Sequence, residues 1–437
     1  MFVRHFEPLS YEPLRVHRDH VRLRRSVDQH RRGHVYLRFQ GFNRLFNLKL
    51  RPDTSVFHKD LVMETQSHGR VKPEINHIYA GELVGEPSSH VYGALLDGVF
   101  QGSIQSAHGR YYVEKAQPYF RRRQPFHSVL YDSRDVRYPA RTGAGGWCGV
   151  TPDTERWMYD VMRRRSPGPQ PSHRHIRMAS NLRTHIHEYR DRGDRWTGRK
   201  PLWEAGAEDE GAEDEQQRVD VPAKNASARM STRTSRRVCN LKLSVDHMLY
   251  GALHDEGSSA PRTRKAITGL VASHVNRASG IFRRTNFGGI QDISFIVHKI
   301  VVNDSRSCAE GVKQTNPFCS DAIDAPYLLH LTSRENNDDF CLAYTWTYRD
   351  FADGVLGLAW IAKAQLGQGG ICEKNRPSVD TKPGTNEYQQ YHLSLNTGII
   401  TFVNYNSFIS FAVSEVTFAH ELGHNFGSPE APRMRPA

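Results

Sequence analysis

The sequence predicts an α/β protein: a β-rich first part and, beyond a polar stretch, a second globular part of alternating strands and helices. Three observations predict it. Residues 35–39 and 46–50 alternate apolar and polar side chains, as half-buried strands do. Ile267, Leu270, Val271, Val275, Ala278 and Ile281 recur at the spacing of one helix face. Ile293–Val302 is a nearly continuous apolar run, the pattern of a strand buried on both faces.

Along the first part, to about residue 140, further strands are expected at 75–86, 99–105 and 111–114, with Asp97-Gly98 as a turn between two of them. These strands suggest a small sandwich or barrel. Apolar residues then thin out, and residues 204–217 are almost wholly Glu, Asp, Ala and Gly. Such a stretch cannot bury enough apolar surface to offset its ordering entropy, so a flexible acidic linker is expected. It ends in Arg233-Thr234-Ser235-Arg236-Arg237. Basic residues in an exposed, disordered segment are open to a processing protease, while an ordinary charged linker explains the same residues. From Val238 the chain becomes globular again. The 267–281 periodicity gives a helix of about five turns. Strands are expected at 293–302, 341–346, 355–360 and 396–405, and their alternation with helix argues for an α/β domain. No internal repeat is visible. The chain divides into 1–163, 164–237 and 238–437.

A chain of 437 residues holds two or three domains of typical size. Hydrophobic content of 38% and charged content of 24% place it among globular proteins. The formal charge of +12 raises nucleic acid or an anionic membrane as partners. The basic residues argue against both. They lie in scattered clusters, such as Arg22, Arg24 and Arg25 or Arg121, Arg122 and Arg123, with no nucleic-acid module around them. We read them as solvated surface and processing sites, and expect no nucleic-acid partner. No apolar run is long enough to span a bilayer, and Met1 to His5 lead straight into polar sequence without a signal peptide. The sequons at Asn225 and Asn303 suit a secreted chain, which favours an incomplete N-terminus. The cysteines are Cys148, Cys239, Cys308, Cys319, Cys341 and Cys372, an even set that oxidising conditions would allow to pair.

The chemistry sits near the end, in Thr417-Phe418-Ala419-His420-Glu421-Leu422-Gly423-His424-Asn425-Phe426-Gly427. Residues four apart on a helix lie on one face, so His420 and His424 can present two imidazole nitrogens to one zinc ion. Glu421 between them can act as general base, taking a proton from the attacking water and passing it to the leaving amine. Val416, Phe418, Ala419 and Leu422 supply apolar faces that bury such a helix. Gly427 stands where a helix can stop and turn.

His420-Glu421-x-x-His424-x-x-Gly427 is the opening of the metzincin signature, whose third histidine falls at position 430. The surrounding residues resemble the ADAM family, the disintegrin and metalloproteinases, and most of all its Kuzbanian branch. The resemblance is carried by residues 339–344, 353–360, 369–374, 396–401 and 418–429, and in the first part by 4–7, 46–57 and 125–129. It implies a β-rich inhibitory prodomain followed by a metzincin-like catalytic domain with a twisted, mostly parallel sheet. It further implies a zinc endopeptidase of the secretory pathway and plasma membrane, anchored by a span this chain lacks, that cuts the ectodomains of other membrane proteins and takes part in Notch-type signalling. A furin-like protease would remove the prodomain at Arg233-x-x-Arg236, so that the mature chain starts near Arg237. Cys148 resembles the prodomain thiol that occupies the open zinc position; a buried thiol without that role is the other reading. The family pattern pairs Cys239 with Cys341 and places the partner of Cys372 beyond this chain. Cys308 and Cys319 can pair with each other, without a family precedent. The strand near Gly357 resembles the edge that holds substrate backbone, and is equally a plain core strand.

The sequence departs from the family at position 430, which is Glu430, and the chain stops seven residues later, before any methionine turn. A carboxylate can ligate zinc, so a His420, His424 and Glu430 set is chemically open. A truncated transcript or splice form accounts for the ending better. Two functional expectations follow: a shedding endopeptidase seen as an incomplete chain, or an inactive protease-like fragment whose prodomain restrains a full-length relative.

Overall fold

The computed structural model describes residues 2–25, 33–120, 122–138, 147–164, 237–254, 258–312, 316–363, 366–381 and 387–428. The first half runs β1 (Glu7–Leu9), α1 (Pro13–Arg25), β2 (Val35–Gly41), β3 (Arg44–Pro52), β4 (Phe57–Thr65), β5 (Gly69–Val71), β6 (Ile78–Leu83), β7 (Glu86–Leu96), β8 (Val99–Ser106), β9 (Gly109–Lys115), β10 (Ser128–Asp132) and α2 (Pro152–Arg163). The second half runs β11 (Arg237–Val245), α3 (His247–Leu253), α4 (Ala260–Phe282), β12 (Ile293–Val302), α5 (Ala325–Ser333), β13 (Leu342–Thr347), β14 (Gly357–Ala359), β15 (Arg376–Thr381), β16 (Tyr388–Leu393), β17 (Thr397–Thr401), β18 (Val403–Asn404), β19 (Ser407–Phe408) and α6 (Phe411–Asn425).

The alternation of β2 and β3 buries one face, with Val35, Leu37, Phe46 and Leu48 inside. These strands belong to one antiparallel sheet in the order β1-β10-β9-β8-β7-β6-β3-β2. Of the expected sandwich or barrel, the barrel-like form is the one present: there is one layer, and it curls. Its two edges approach each other, because the Phe42 N–H just past β2 donates to Glu7 Oε2 of β1 at 2.8 Å. The turn at Asp97-Gly98 is present, and both residues take the left-handed conformation that a two-residue hairpin turn needs.

The second sheet has the order β14-β17-β13-β11-β12-β4-β5. Strands β17, β13, β11 and β12 run parallel, and β14 closes one edge antiparallel to β17. The expected mixed α/β architecture is therefore present. One strand comes from an unexpected place. β4, from the first half, pairs in parallel with β12, with Ile300 opposite Met63 and Val302 opposite Thr65. The hairpin of β4 and β5 thus extends the sheet of the second half.

Helices α4 and α6 cover one face of this sheet, and a single apolar core there joins Met63, Tyr112 and Tyr131 of the first half to Leu243, Val271 and Phe418 of the second. The other face is covered by α2 and α5, where Met158, Val161 and Met162 meet Leu328, Leu329 and Trp360. The expected linker lies outside the described residues, and the described residues before and after it pack as one unit.

Some boundaries move. The strand expected at 355–360 shortens to Gly357–Ala359, because Ala352–Gly354 forms a 3-10 turn just before it. The strand expected at 396–405 breaks at Phe402, between β17 and β18. Helices α1 and α2 were not expected; α1 buries only Val16 and His20, too few apolar residues to show a period. Disulfides join Cys239 to Cys341 and Cys308 to Cys319, while Cys148 and Cys372 stand outside them. Among the described residues no helix is long and apolar enough to cross a membrane.

Candidate metal centre

Helix α6 is buried from Phe411 through Asn425, save for Val416, so its polar residues point into protein rather than water. A helix immersed on all sides needs partners for every polar group it carries. Its C-terminus is closed by a Schellman motif. Gly427, at φ 93°, donates its N–H to the His424 carbonyl at 2.9 Å, and Ser428 N–H reaches the Gly423 carbonyl at 3.1 Å. The predicted stop at Gly427 is thus a left-handed cap.

That cap also orients a ligand. His424 Nδ1 lies 2.8 Å from the Ser428 carbonyl. A carbonyl only accepts, so Nδ1 carries the proton and Nε2 presents its lone pair inward. The Nε2 atoms of His424 and His420 are 3.0 Å apart. Cys148 Sγ lies 3.4 Å from His424 Nε2. Candidate ligand atoms of Cys148, His420, Glu421 and His424 all lie within 4.8 Å of one another.

Cys148 reaches the site through backbone pairing. Leu356 N–H donates to the Trp147 carbonyl at 2.7 Å, and Gly149 N–H donates to the Gly357 carbonyl at 2.8 Å. Cys148 thereby forms a parallel bridge with Gly357 on the edge strand β14. The Trp147 ring packs on His420, with centroids 4.4 Å apart. The segment from the first half occupies the edge and the mouth of the site together.

These residues fit a zinc ion. Tetrahedral bonds of about 2.0–2.1 Å to nitrogen and about 2.3 Å to sulfur place two ligand nitrogens about 3.3 Å apart and sulfur about 3.6 Å from nitrogen. The observed 3.0 Å and 3.4 Å are close to both. Glu421 adds a second sign. It is fully buried, and among the described residues neither of its carboxylate oxygens has a hydrogen-bond partner. Burial pushes its carboxyl well above the usual range. An orphaned carboxylate beside two convergent imidazoles suits a polar occupant of the site.

Glu421 is seated by an absence. A Cβ on Gly357 would lie 2.6 Å from Glu421 Oε1 and 2.7 Å from its Cγ. Gly357→Ala is therefore expected to destabilise the fold by about 1–3 kcal/mol through overpacking. Urea denaturation checks it; an unchanged midpoint would mean that Glu421 moves aside freely.

A second polar cluster holds the first half against the start of α6. The Phe411 N–H donates to Glu114 Oε1 at 2.9 Å, and Tyr131 hydroxyl donates to the same oxygen. Glu114 of β9 thus caps a helix of the other half, whose own N-cap, Ser410, makes no side-chain capping bond. Nearby, Tyr112 hydroxyl donates to Glu415 Oε2 at 3.0 Å. Burial raises both carboxyls, Glu114 and Glu415, to about 7. A carboxyl raised in the folded state favours the protonated form. Its contribution is complete below the ordinary value near 4.5 and is lost as pH rises through about 7. Contact between the halves through this cluster is expected to weaken from about pH 5 to about pH 8, and Glu114→Gln to flatten that slope. Urea midpoints across this range test it; equal slopes in both proteins would contradict it.

The structure brings together Cys148, His420, Glu421 and His424 from the sequence-derived set. Cys239 and Cys341 meet elsewhere, as a disulfide from β11 to the start of β13. Asn303 follows β12 and is half-buried, and Arg237 opens β11. Glu430, Arg233, Arg236 and Asn225 lie outside the described residues. Sequence reasoning missed Glu114, Tyr344 and the roles of Asn425 and Ser428. Tyr344 hydroxyl donates to Asn425 Oδ1 at 2.5 Å, and Asn425 Nδ2 donates to the carbonyls of Trp360 and Thr397 at 3.0 Å and 3.2 Å. These bonds lock the end of α6 to the sheet. Only the place of Asn425 inside the zinc motif hinted at such a part.

A model of the reprolysin-like metallopeptidase family M12B matches residues 261–434. Disintegrin and metalloproteinase domain-containing protein 10 of Bos taurus is 35% identical over 429 residues, covering 98% of this chain and 49% of that protein. The Homo sapiens protein of the same name is 34% identical, with the same coverage. The homolog from Caenorhabditis elegans is 32% identical over 443 residues, covering 98% of this chain and 44% of that protein. The chain spans about half the length of the curated relatives it matches.

Proposed function

The chain belongs to the disintegrin and metalloproteinase family, and from that premise we propose that it is a latent zinc endopeptidase whose first half is an inhibitory prodomain. Its substrates would be the ectodomains of membrane proteins, with a part in Notch-type signalling and a place in the secretory pathway and at the plasma membrane. A furin-like protease cutting after Arg236 would begin activation.

The observation that carries this reading is the meeting of Cys148 with His420 and His424. Cys148 Sγ, His420 Nε2 and His424 Nε2 would hold the ion. Zinc, when bound, supplies a Lewis acid that polarises the scissile carbonyl and acidifies water. The remaining work falls to the chain. Glu421, whose carboxylate oxygens have no hydrogen-bond partner among the described residues, would take the proton of the attacking water and deliver it to the leaving nitrogen. Strand β14 would align an extended substrate by main-chain hydrogen bonds, on the edge that residues 147–149 now occupy. Cys148 and substrate therefore exclude each other.

The test is peptide hydrolysis by the chain and by Cys148→Ala, together with zinc content. The proposal expects stoichiometric zinc in both and hydrolysis that rises in Cys148→Ala. Glu430, which lies where the family has histidine, favours a second reading: a protease-like fragment without catalysis that regulates a full-length relative through its prodomain. Zinc-loaded Cys148→Ala protein without hydrolysis would support that reading instead.

A further inference from the structure

The first half grips the sheet of the second at both ends: residues 147–149 on β14, and the hairpin of β4 and β5 on β12. The second grip has a gap in it. Val297 of β12 pairs with Phe57, but the next pair is Lys299 with Val62, so residues 58–61 of β4 loop away from the ladder. His298 is the extra residue of β12 at this point, passed over by β4 on one side and by β11 on the other. A bulge of this kind re-aims its side chain. The His298 ring lies on that of His58, with centroids 3.7 Å apart and planes at 27°. Two imidazoles close the gap that the backbone leaves.

We propose that the His58–His298 stack makes the β4–β12 contact an acid-sensitive clasp, closed while both rings are neutral and loosened when both are protonated in an acidic compartment. Two neutral rings stack favourably; two imidazolium ions at this distance repel. The surrounding charges do not cancel that repulsion. Asp60 Oδ2 is 3.7 Å from His58 Nδ1, but its side chain is 73% exposed, so water screens it. Lys59 beside it is exposed. Lys299 Nζ of β12 is paired with Glu64 Oε2 of β4 at 2.8 Å. Lys242 of β11, opposite Lys299, is engaged with Glu335 and Asn337. Burial, and then the neighbouring His58, hold His298 below the usual histidine range. A histidine lowered in the folded state contributes stability above its ordinary value near 6.5, and loses it as pH falls below that value. This sign is opposite to that of Glu114 and Glu415, so global stability would blur the two and a local readout is needed.

Hydrogen exchange on the full chain tests it, with rates corrected for the intrinsic effect of pH. Amide protection across residues 62–65, which pair with β12, is expected to fall at least about tenfold between about pH 7.5 and about pH 5.5. In His298→Gln and in His58→Gln the fall is expected to shrink below about twofold, because glutamine keeps a polar side chain that cannot charge. Equal protection of the wild-type chain at the two pH values would overturn the clasp. So would a full-sized fall that persists in both variants, or variants already unprotected near pH 7.5, which would make the rings structural rather than responsive. Neither zinc binding nor hydrolysis enters the readout, so this test and that of the enzyme reading fail independently.

Discussion

Replacing Glu421 with glutamine, in a Cys148→Ala background, is expected to lower peptide hydrolysis by about 10²- to 10⁴-fold while zinc stays bound. The size follows from the role. Glutamine keeps the shape of the side chain and its place beside Gly357, but it cannot accept a proton at neutral pH. Zinc retention relative to the Cys148→Ala parent follows from geometry: the Nε2 atoms of His420 and His424 converge at 3.0 Å, while among the described residues both oxygens of Glu421 are without hydrogen-bond partners. The Cys148→Ala background matters because the Cys148 thiol otherwise lies 3.4 Å from His424 Nε2, where an attacking water would have to enter. Hydrolysis that survives Glu421→Gln would remove this residue from the chemistry.

Replacing His424 with alanine is expected to weaken zinc binding by about 10²- to 10³-fold. Structural zinc sites bind with roughly 10–16 kcal/mol shared among four ligands, which is about 3–4 kcal/mol for each. His424 stands at the centre of the cluster: Cys148 Sγ lies 3.4 Å from its Nε2, and His420 Nε2 lies 3.0 Å away. Its Nδ1 is held by the Ser428 carbonyl, so the ring is oriented before metal arrives. The helix should survive, because the Schellman cap rests on backbone bonds of Gly427 and Ser428. Competition with a chelator of known affinity measures the loss. An affinity within about threefold of the unsubstituted chain would mean the ion is held elsewhere.

The part of this site nearest the surface of the sequence was the helical pair. His420 and His424 are four residues apart, and helix geometry alone puts them on one face. Gly427 announced the end of that helix by its type. Cys148 is different. It lies 276 residues from His424 along the chain, and only the pairing of residues 147–149 with β14 brings it there. No periodicity encodes such a contact, so the sequence alone does not place this cysteine.

Glu114 shows a harder limit. Within β9 it reads as a polar residue of a half-exposed strand, yet it is fully buried, because α6 of the other half starts on it. Strand β4 was unexpected for a related reason. Its burial alternates poorly, since residues 58–61 leave the ladder, and its partner β12 lies in the second half of the chain. The strands of the second half were easier to place. β12 is buried mainly by sheet neighbours and helices close to it in sequence, and the apolar run Ile293–Val302 coincides with the strand. The turn between β2 and β3 falls on Phe42 and Asn43, both at positive φ, where phenylalanine gives no turn signal.

Latency and chemistry both depend on one claim: Cys148, His420 and His424 share an ion across the two halves. Replacing zinc with cobalt in the full chain tests it most directly, because cobalt bound by a thiolate gives a sulfur-to-metal charge-transfer band in the near ultraviolet. The expected result is that band in the full chain, its loss in Cys148→Ala, and tetrahedral ligand-field absorption in the unsubstituted protein. Stoichiometric cobalt with no thiolate band in the unsubstituted chain would contradict the shared site.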